Sequence, residues 1–295
     1  MTTDDPTRRD TFTGIGLGGI AIGLGASPAL ARPAPPGARV DYADPETNMR
    51  LLVKLLGSLD GSVTYYHAHG TMFGMRPAQH ARPLLNFEGC AARIFRPDGE
   101  GGFLFGLREW LLFKDPAGVV KEEWLNPYTL QTVKLPHFRG GGGMKHKWTV
   151  RGQERIGHED ITVNYGPQVY DWMFDGDRAV CAIDQFIAFP NPQQPDKFPV
   201  ASTGPVRWEM QVRSFTTSRA ALEDPALAMA PSIETWVMKN DWMGFMNMGQ
   251  WSGHHMWRAT GRKLSSLDQL PQTFRDETEA RWPGHMAEFA AWRGA

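Results

Sequence analysis

Cysteine is scarce in this 295-residue chain, which has only Cys90 and Cys181. A disulfide-dense scaffold is therefore excluded. One bridge at most can form, closing a loop of about 90 residues and worth roughly 4–5 kcal/mol in the chain-entropy model. The other reading is two buried thiols, because a protein exported after folding reaches its fold in the reducing cytoplasm. Neither cysteine has flanking residues that would activate a thiolate nucleophile. Charge of one sign is lacking as well. With 31 basic and 32 acidic residues and no Lys/Arg cluster, the chain carries no electrostatic footprint for nucleic acid and no acidic partner surface. No Gly-x-Ser-x-Gly elbow occurs, which removes that class of hydrolase. The glycines at residues 140–143 are followed by no Gly-Lys-Ser/Thr and read as an exposed flexible link, not a phosphate loop. Nucleotide, flavin and haem signatures are missing, so no organic cofactor is expected. No repeat of fixed period is present.

The apolar run at residues 14–26 falls short of the ~20 residues that cross a bilayer. It follows Arg8 and Arg9 and precedes Ala29-Leu30-Ala31, a small-x-small cleavage site. Residues 1–31 therefore read as an export signal. Thr7-Arg8-Arg9-Asp10 with Phe12 is similar to the twin-arginine motif, although Thr11 stands where a bulky apolar residue is usual. The expectation is cleavage and release with no stable membrane span, the twin-arginine machinery as partner, and a periplasmic or extracellular mature protein. Loss of Asp4, Asp5, Arg8, Arg9 and Asp10 leaves 29 basic and 29 acidic residues. Residues 32–43 form a Pro-rich lead-in with no fixed structure expected. Residues 44–295 read as a single β-rich domain with a C-terminal helical region.

Asp44-Pro45-Glu46 supplies an N-cap, a first-turn proline and a first-turn acid. Met49, Leu52, Val53 and Leu56 then recur at helical spacing, and Gly57 ends the helix. From residue 62 to about 217, aromatic and β-branched runs are broken by turn residues, the signal of strands. Residues 103–114, 119–125 and 130–137, joined by Asp115-Pro116-Ala117-Gly118 and Asn126-Pro127-Tyr128-Thr129, predict three consecutive antiparallel strands. Runs at 145–151, 161–165, 168–174, 178–189, 207–217 and 233–239 continue the pattern. A Met- and Trp-rich stretch spans residues 242–257, and residues 272–292 read as helical with an interruption at Pro283. The fold class expected is mainly β: an antiparallel meander curling into a barrel or half-barrel, with an N-terminal helix and C-terminal helices.

The series Leu107-Arg108-Glu109-Trp110, Asp115-Pro116, Trp124, Asn126-Pro127 and Thr129, continued by Trp242-Met243, Gly261-Arg262-Lys263 and Leu270-Pro271, resembles the DUF1838 family. The resemblance covers most of the mature chain. It implies a single exported bacterial domain and carries over no catalytic residue.

Glu109 is the first candidate for chemistry. Alternation puts Phe103, Phe105, Leu107, Glu109, Leu111 and Phe113 on one face, a lone carboxylate in an apolar row. Facing a barrel interior, it would lose water and titrate near neutral pH, suited to acid or base work. The competing reading is a structural pair with Arg93. Tyr65, His67 and His69 share one face of a strand at residues 63–71. Asp184, between Ala182 and Phe186, reads as a second inward-pointing acid. The candidate catalytic set is thus Glu109, Arg93, His67, Tyr65 and Asp184. His67 and His69 would hold zinc or iron if Glu88, His254 or His255 supplied a third ligand, although such pairs are also common without metal. The Met/Trp stretch offers an adaptable apolar surface. Trp110, Trp242, Met243, Phe245, Trp251 and His254 are accordingly the candidate substrate-binding residues, against the plainer reading of a core segment. The expected function is a cofactor-independent enzyme of lyase or isomerase type acting on a hydrophobic, aromatic small molecule. The alternatives are a carrier of such a molecule and a His-ligated metalloenzyme.

Overall fold

The computed structural model describes residues 40–149, 152–155, 162–164 and 169–290. The expected export signal and most of the Pro-rich lead-in lie outside the described residues. The end of that lead-in is ordered, contrary to expectation. Val40 and Tyr42 pack against the core, and the Tyr42 hydroxyl donates to Glu223 at 2.8 Å.

Helix α1 (Pro45–Leu56) starts as its sequence dictates: the Asp44 carboxylate accepts from the Thr47 amide at 2.8 Å and Pro45 occupies the first turn. Its other end is held by a lysine distant in sequence. Lys263 Nζ donates to the carbonyls of Lys54 at 2.8 Å, Leu55 at 2.8 Å and Gly57 at 3.0 Å. A cation there pairs orphan carbonyls and opposes the negative end of the helix dipole.

The strands follow as β1 (Thr64–Met75), β2 (Arg82–Pro97), β3 (Phe103–Lys114), β4 (Glu123–Leu125), β5 (Thr132–Lys134) and β6 (Phe138–Thr149). Next come β7 (Gly152–Arg155), β8 (Thr162–Asn164), β9 (Trp172–Asp175), β10 (Arg178–Pro190) and β11 (Val206–Ser218). A short helix α2 (Arg219–Glu223) precedes β12 (Ile233–Asn240) and β13 (His254–Leu264), and α3 (Gln272–Arg281) and α4 (His285–Ala290) end the described chain. The protein is mainly β. One antiparallel sheet runs β7-β6-β3-β2-β1-β13-β12-β11-β10-β8, with β9 also on β10. Its end strands do not pair with each other, so no closed barrel forms among the described residues. No helix among them is long and apolar enough to cross a membrane.

Two local expectations are corrected. Of the three consecutive strands, the second hairpin forms as expected, β4 against β5, whereas β3 meets the run after its turn at the antiparallel bridge Lys114–Val120 and pairs along its length with β2 and β6, so β4 and β5 make a separate two-stranded sheet. Residues 140–143 are not a flexible link but part of β6, where Gly140 lies opposite Glu109. A Cβ at position 140 would meet the Phe138 ring at 2.2 Å, so glycine serves close packing inside a strand.

Three clusters hold the sheet. On its inner face, Leu52, Val53 and Leu55 of α1 pack against Tyr66, Phe95, Phe105 and Phe215. Each such side chain contributes about 1.5–3 kcal/mol by burial. At the far end of the same face, Met72, Phe87, Phe113, Met238 and Trp257 meet Trp242, Met243, Met246 and Met248. The outer face carries α3 and α4, with Phe274, Met286 and Phe289 against Tyr65, Ile94, Trp110 and Leu112. Cys90 belongs to the outer cluster and Cys181 to the α1 cluster; both are free, buried thiols.

Candidate functional site

Between the two inner clusters the sheet is lined by small residues. The register sets Gly89, Ala68 and Gly261 side by side across β2, β1 and β13, with Ala91 and Ala259 in the rows on either side. With no side chains to fill the space above them, a cavity of about 110 Å³ remains. Phe87, Leu111, Phe138, Trp236, Met238 and Trp257 give it apolar walls, while Arg93, Glu109, Gln211, Arg213 and Glu234 line its polar side.

That polar side is unevenly paired. Glu234 accepts from Arg93 Nη2 at 3.2 Å and from Arg213 Nε at 2.6 Å. One carboxylate therefore serves two buried guanidinium groups. Arg93 is only 2% exposed and lies 4.1 Å from the centre of the Tyr66 ring, yet its Nε and Nη1 have no hydrogen-bond partner. Glu109 Oε2 is likewise buried and unpartnered. Loss of water raises the Glu109 pKa to about 7; Arg213 and Arg93 pull it down, and Glu209 and Glu234 push it up. Near neutral pH this side chain divides between acid and carboxylate. The ion-pair partner of Arg93 is Glu234, not the Glu109 considered from the sequence.

The other candidate residues, Trp110 apart, are placed elsewhere. Asp184 does not point inward: on β10 the buried positions are Ala179, Cys181, Ile183, Gln185 and Ile187, and Asp184 is exposed between them. Tyr65 packs in the outer cluster, and His67 sits 5.6 Å from the Phe274 ring of α3, so both are across the sheet from Glu109. Trp110 is among the residues that line the cavity, while its ring packs in the outer cluster and its indole donates to His285 Nδ1 at 2.9 Å. Burial lowers the His285 pKa to about 4, which keeps that acceptor neutral. Trp242, Met243 and Phe245 pack in the Met/Trp cluster that backs the cavity and do not line it. Trp251 lies near the surface, with the Arg76 guanidinium 4.7 Å from its ring centre, and His254 pairs with Met75 at the far end of β13.

His67, His69 and Glu88 come together on the outer face, with one ligand atom from each within 4.8 Å of the others. His67 Nε2 is 2.7 Å and His69 Nε2 4.0 Å from Glu88 Oε1, while Lys114 donates to Glu88 Oε2. His67 and Lys114 hold the Glu88 pKa at about 2 despite its burial. His254 and His255, the other third ligands considered, pair with Met75 and Gly74, far along β1 from His67.

A family model for a protein of unknown function, DUF1838, matches residues 61–292. The chain belongs to the DUF1838 family. No curated protein matches it.

The DUF1838 motif residues divide into scaffold and site. Asn126 is fully buried and donates to the Met246 carbonyl at 2.8 Å, tying the β4–β5 hairpin to the Met/Trp segment. Asp115 Oδ1 accepts from the Ala117 and Val119 amides and closes the turn after β3. Gly261 is part of the cavity floor and Lys263 caps α1. Glu109 is the motif acid inside the cavity. Sequence reasoning missed Gln211, Arg213 and Glu234, and the small residues Ala68, Gly89, Ala259 and Gly261. The legible signal was Glu209-x-Gln211-x-Arg213, three polar residues at strand spacing before Phe215.

Proposed function

We propose that this DUF1838 protein binds a small molecule with an apolar, ring-bearing body in a half-barrel hollow and acts on it by acid/base chemistry through Glu109. No organic cofactor takes part, the reaction is of lyase or isomerase type, and the protein works in the periplasm or outside the cell. Curvature is supported by the reach of Arg93. β2 and β12 are three strand spacings apart, ~14 Å in a flat sheet, and their side chains meet most readily over a concave floor.

The observation that carries the reading is the free Glu109 oxygen inside an apolar-walled cavity, on a carboxyl titrating near 7. A general acid or base works best with its pKa near the operating pH. Arg93 and Arg213 would stabilise negative charge developing on the substrate, and Trp236 and Trp257 would hold its ring. The test is mass spectrometry of small molecules retained by natively purified protein, then turnover of the retained class. Glu109→Gln should keep binding and lose about 10²-fold or more in rate. Binding without turnover in the unaltered protein would make it a carrier, and an empty cavity under all conditions would sink both.

A second reading has an observation of its own, the His67–His69–Glu88 cluster. Two imidazoles and a carboxylate suit zinc or iron, and Lys114 would orient the carboxylate from its other oxygen. Metal analysis of protein purified without chelators checks it. Stoichiometric zinc or iron that disappears in His69→Ala supports this reading, and metal-free protein that takes up neither ion rejects it.

A further inference from the structure

Resting on the cavity as the binding site, we infer that its ligand is a small monocarboxylate, the ring or short branched body lying among Phe87, Trp236 and Trp257 and the carboxylate received by Arg93 and Glu109.

The donors decide the head group. Arg93 is 2% exposed, and two of its three nitrogens are without a partner. Leaving such a donor unpaired costs about 1–3 kcal/mol, and more when it is charged. A neutral head group brings no charge to these donors, whereas a carboxylate brings two acceptor oxygens and a countercharge.

Charge balance points the same way. From β2, β11 and β12 the charged groups facing Glu109 are Arg93, Arg213, Glu209 and Glu234. Glu234 is committed to both arginines. Glu209 is bonded to Gln211 and Asn240 and its charge is offset by Arg207. With Glu109 as the acid, the two arginines face Glu234 alone, an excess of one positive charge on the cavity wall. A bound carboxylate cancels it, and the acid form of Glu109 can donate to the second carboxylate oxygen. Burial and Arg213 pull the Arg93 pKa below the ordinary arginine value, a penalty that an anion would relieve.

The walls decide the body. Phe87 and Trp257 have ring centres 4.7 Å apart and Trp236 and Trp257 6.2 Å, an aromatic corner that favours offset or edge contact with a further ring. At about 110 Å³ the cavity excludes long acyl chains and bulky conjugates.

The test is calorimetric titration of the intact protein with benzoate and phenylacetate against benzamide and benzyl alcohol, at pH 6 and pH 8, in buffers of different ionisation enthalpy. The carboxylates are expected to bind at least 10-fold more tightly than the neutral compounds. Their affinity should fall about 10-fold from pH 6 to pH 8, with proton uptake at the higher pH, because Glu109 must be protonated in the complex. Arg93→Met should erase the preference for carboxylates. Glu109→Gln, the variant more certain to fold, should bind carboxylates with most of the proton uptake and pH dependence gone, the remainder belonging to Glu209, whose pKa burial also raises to about 7. Neutral compounds binding as tightly as carboxylates would overturn the inference and leave the cavity reading standing, as would a Glu109→Gln protein that binds benzoate no better than benzamide. Failure of all four probes to bind would overturn the cavity reading and this inference with it.

Discussion

Arg93 on β2 and Glu234 on β12 meet at 3.2 Å although β1 and β13 run between them. The Arg93 guanidinium crosses over the Tyr66 ring, whose centre is 4.1 Å away, and the small residues Ala68, Ala91 and Gly261 leave room beside it. The pair therefore links two halves of the sheet across the cavity, and Arg213 on β11 extends the link by a further strand.

Glu234→Gln should cost about 3–5 kcal/mol, because it leaves two buried guanidinium groups without a countercharge. The urea midpoint measures this directly. A loss under about 1 kcal/mol would mean that the arginines are solvated and that the polar side of the cavity is open to water.

Glu109→Gln should act in the opposite direction. The folded-state pKa of about 7 lies above the ordinary glutamate value of 4.5, so the fold disfavours the ionised side chain. Below pH 4.5 both states hold the proton and the residue is neutral in effect. Between 4.5 and 7 the unfolded chain ionises first, so stability falls as pH rises, and above 7 the penalty stays constant. The full span corresponds to about 3 kcal/mol, reduced to about 1–3 because Glu109 is only half-buried. Glutamine removes that penalty, so the variant should be the more stable protein at pH 8 and equal to its parent at pH 4. Urea titrations at both values check the sign. Equal stabilities at pH 8 would place the Glu109 carboxyl in ordinary solvent.

Ala259→Leu tests whether the hollow is real. In a filled core an added isobutyl group is overpacking and costs about 1–3 kcal/mol. Above an empty floor it occupies space and gains apolar contact, so stability should rise by about 1 kcal/mol. Retention of a small molecule should drop 10-fold or more. A strongly destabilised protein that still retains its ligand would put the site elsewhere.

Much of this arrangement was legible before any coordinates, and the reasons differ by element. α1 follows from Asp44-Pro45 and its apolar spacing, and the row that isolates Glu109 follows from period-2 alternation in β3. β11 runs against the usual pattern. Trp208 is 66% exposed while Glu209, Gln211 and Arg213 are buried, so reading apolar residues as inward turns the strand over and hides half of the polar wall. Asp184 was misplaced for the same reason: on β10 Phe186 faces out with it, 54% exposed. β13 gives little strand signal, because its inward residues Ala259 and Gly261 are small and its outward ones, Arg258, Thr260 and Arg262, are polar. For Tyr65, His67 and His69, alternation says that they share a face but not which one. That is decided by Phe274 of α3, more than 200 residues away, which packs on the side remote from the cavity.

Lys263 is the scaffold residue on which the cavity depends from its other end. Its ammonium serves three carbonyls at the C-terminus of α1, and α1 closes the inner face beside the small-residue floor. Lys263→Met keeps the length and apolar stem of the side chain but removes its donors, which takes the bond to the Gly57 carbonyl, while Leu55 still accepts from Tyr66 and Ser232 and Lys54 from the Ala230 amide. A buried acceptor without a partner costs about 1–3 kcal/mol, and the other two carbonyls each lose one bond, so a net loss of about 1–3 kcal/mol is expected. The loss should be local before it is global. Amide exchange should accelerate over Leu52 to Leu56 and in Phe95 and Phe105 beneath them, while the Met/Trp cluster at the opposite end of the face keeps its protection. Uniform acceleration across the sheet would show instead that α1 and the strands open as one unit. The lysine would then support the whole domain and not one wall of the cavity.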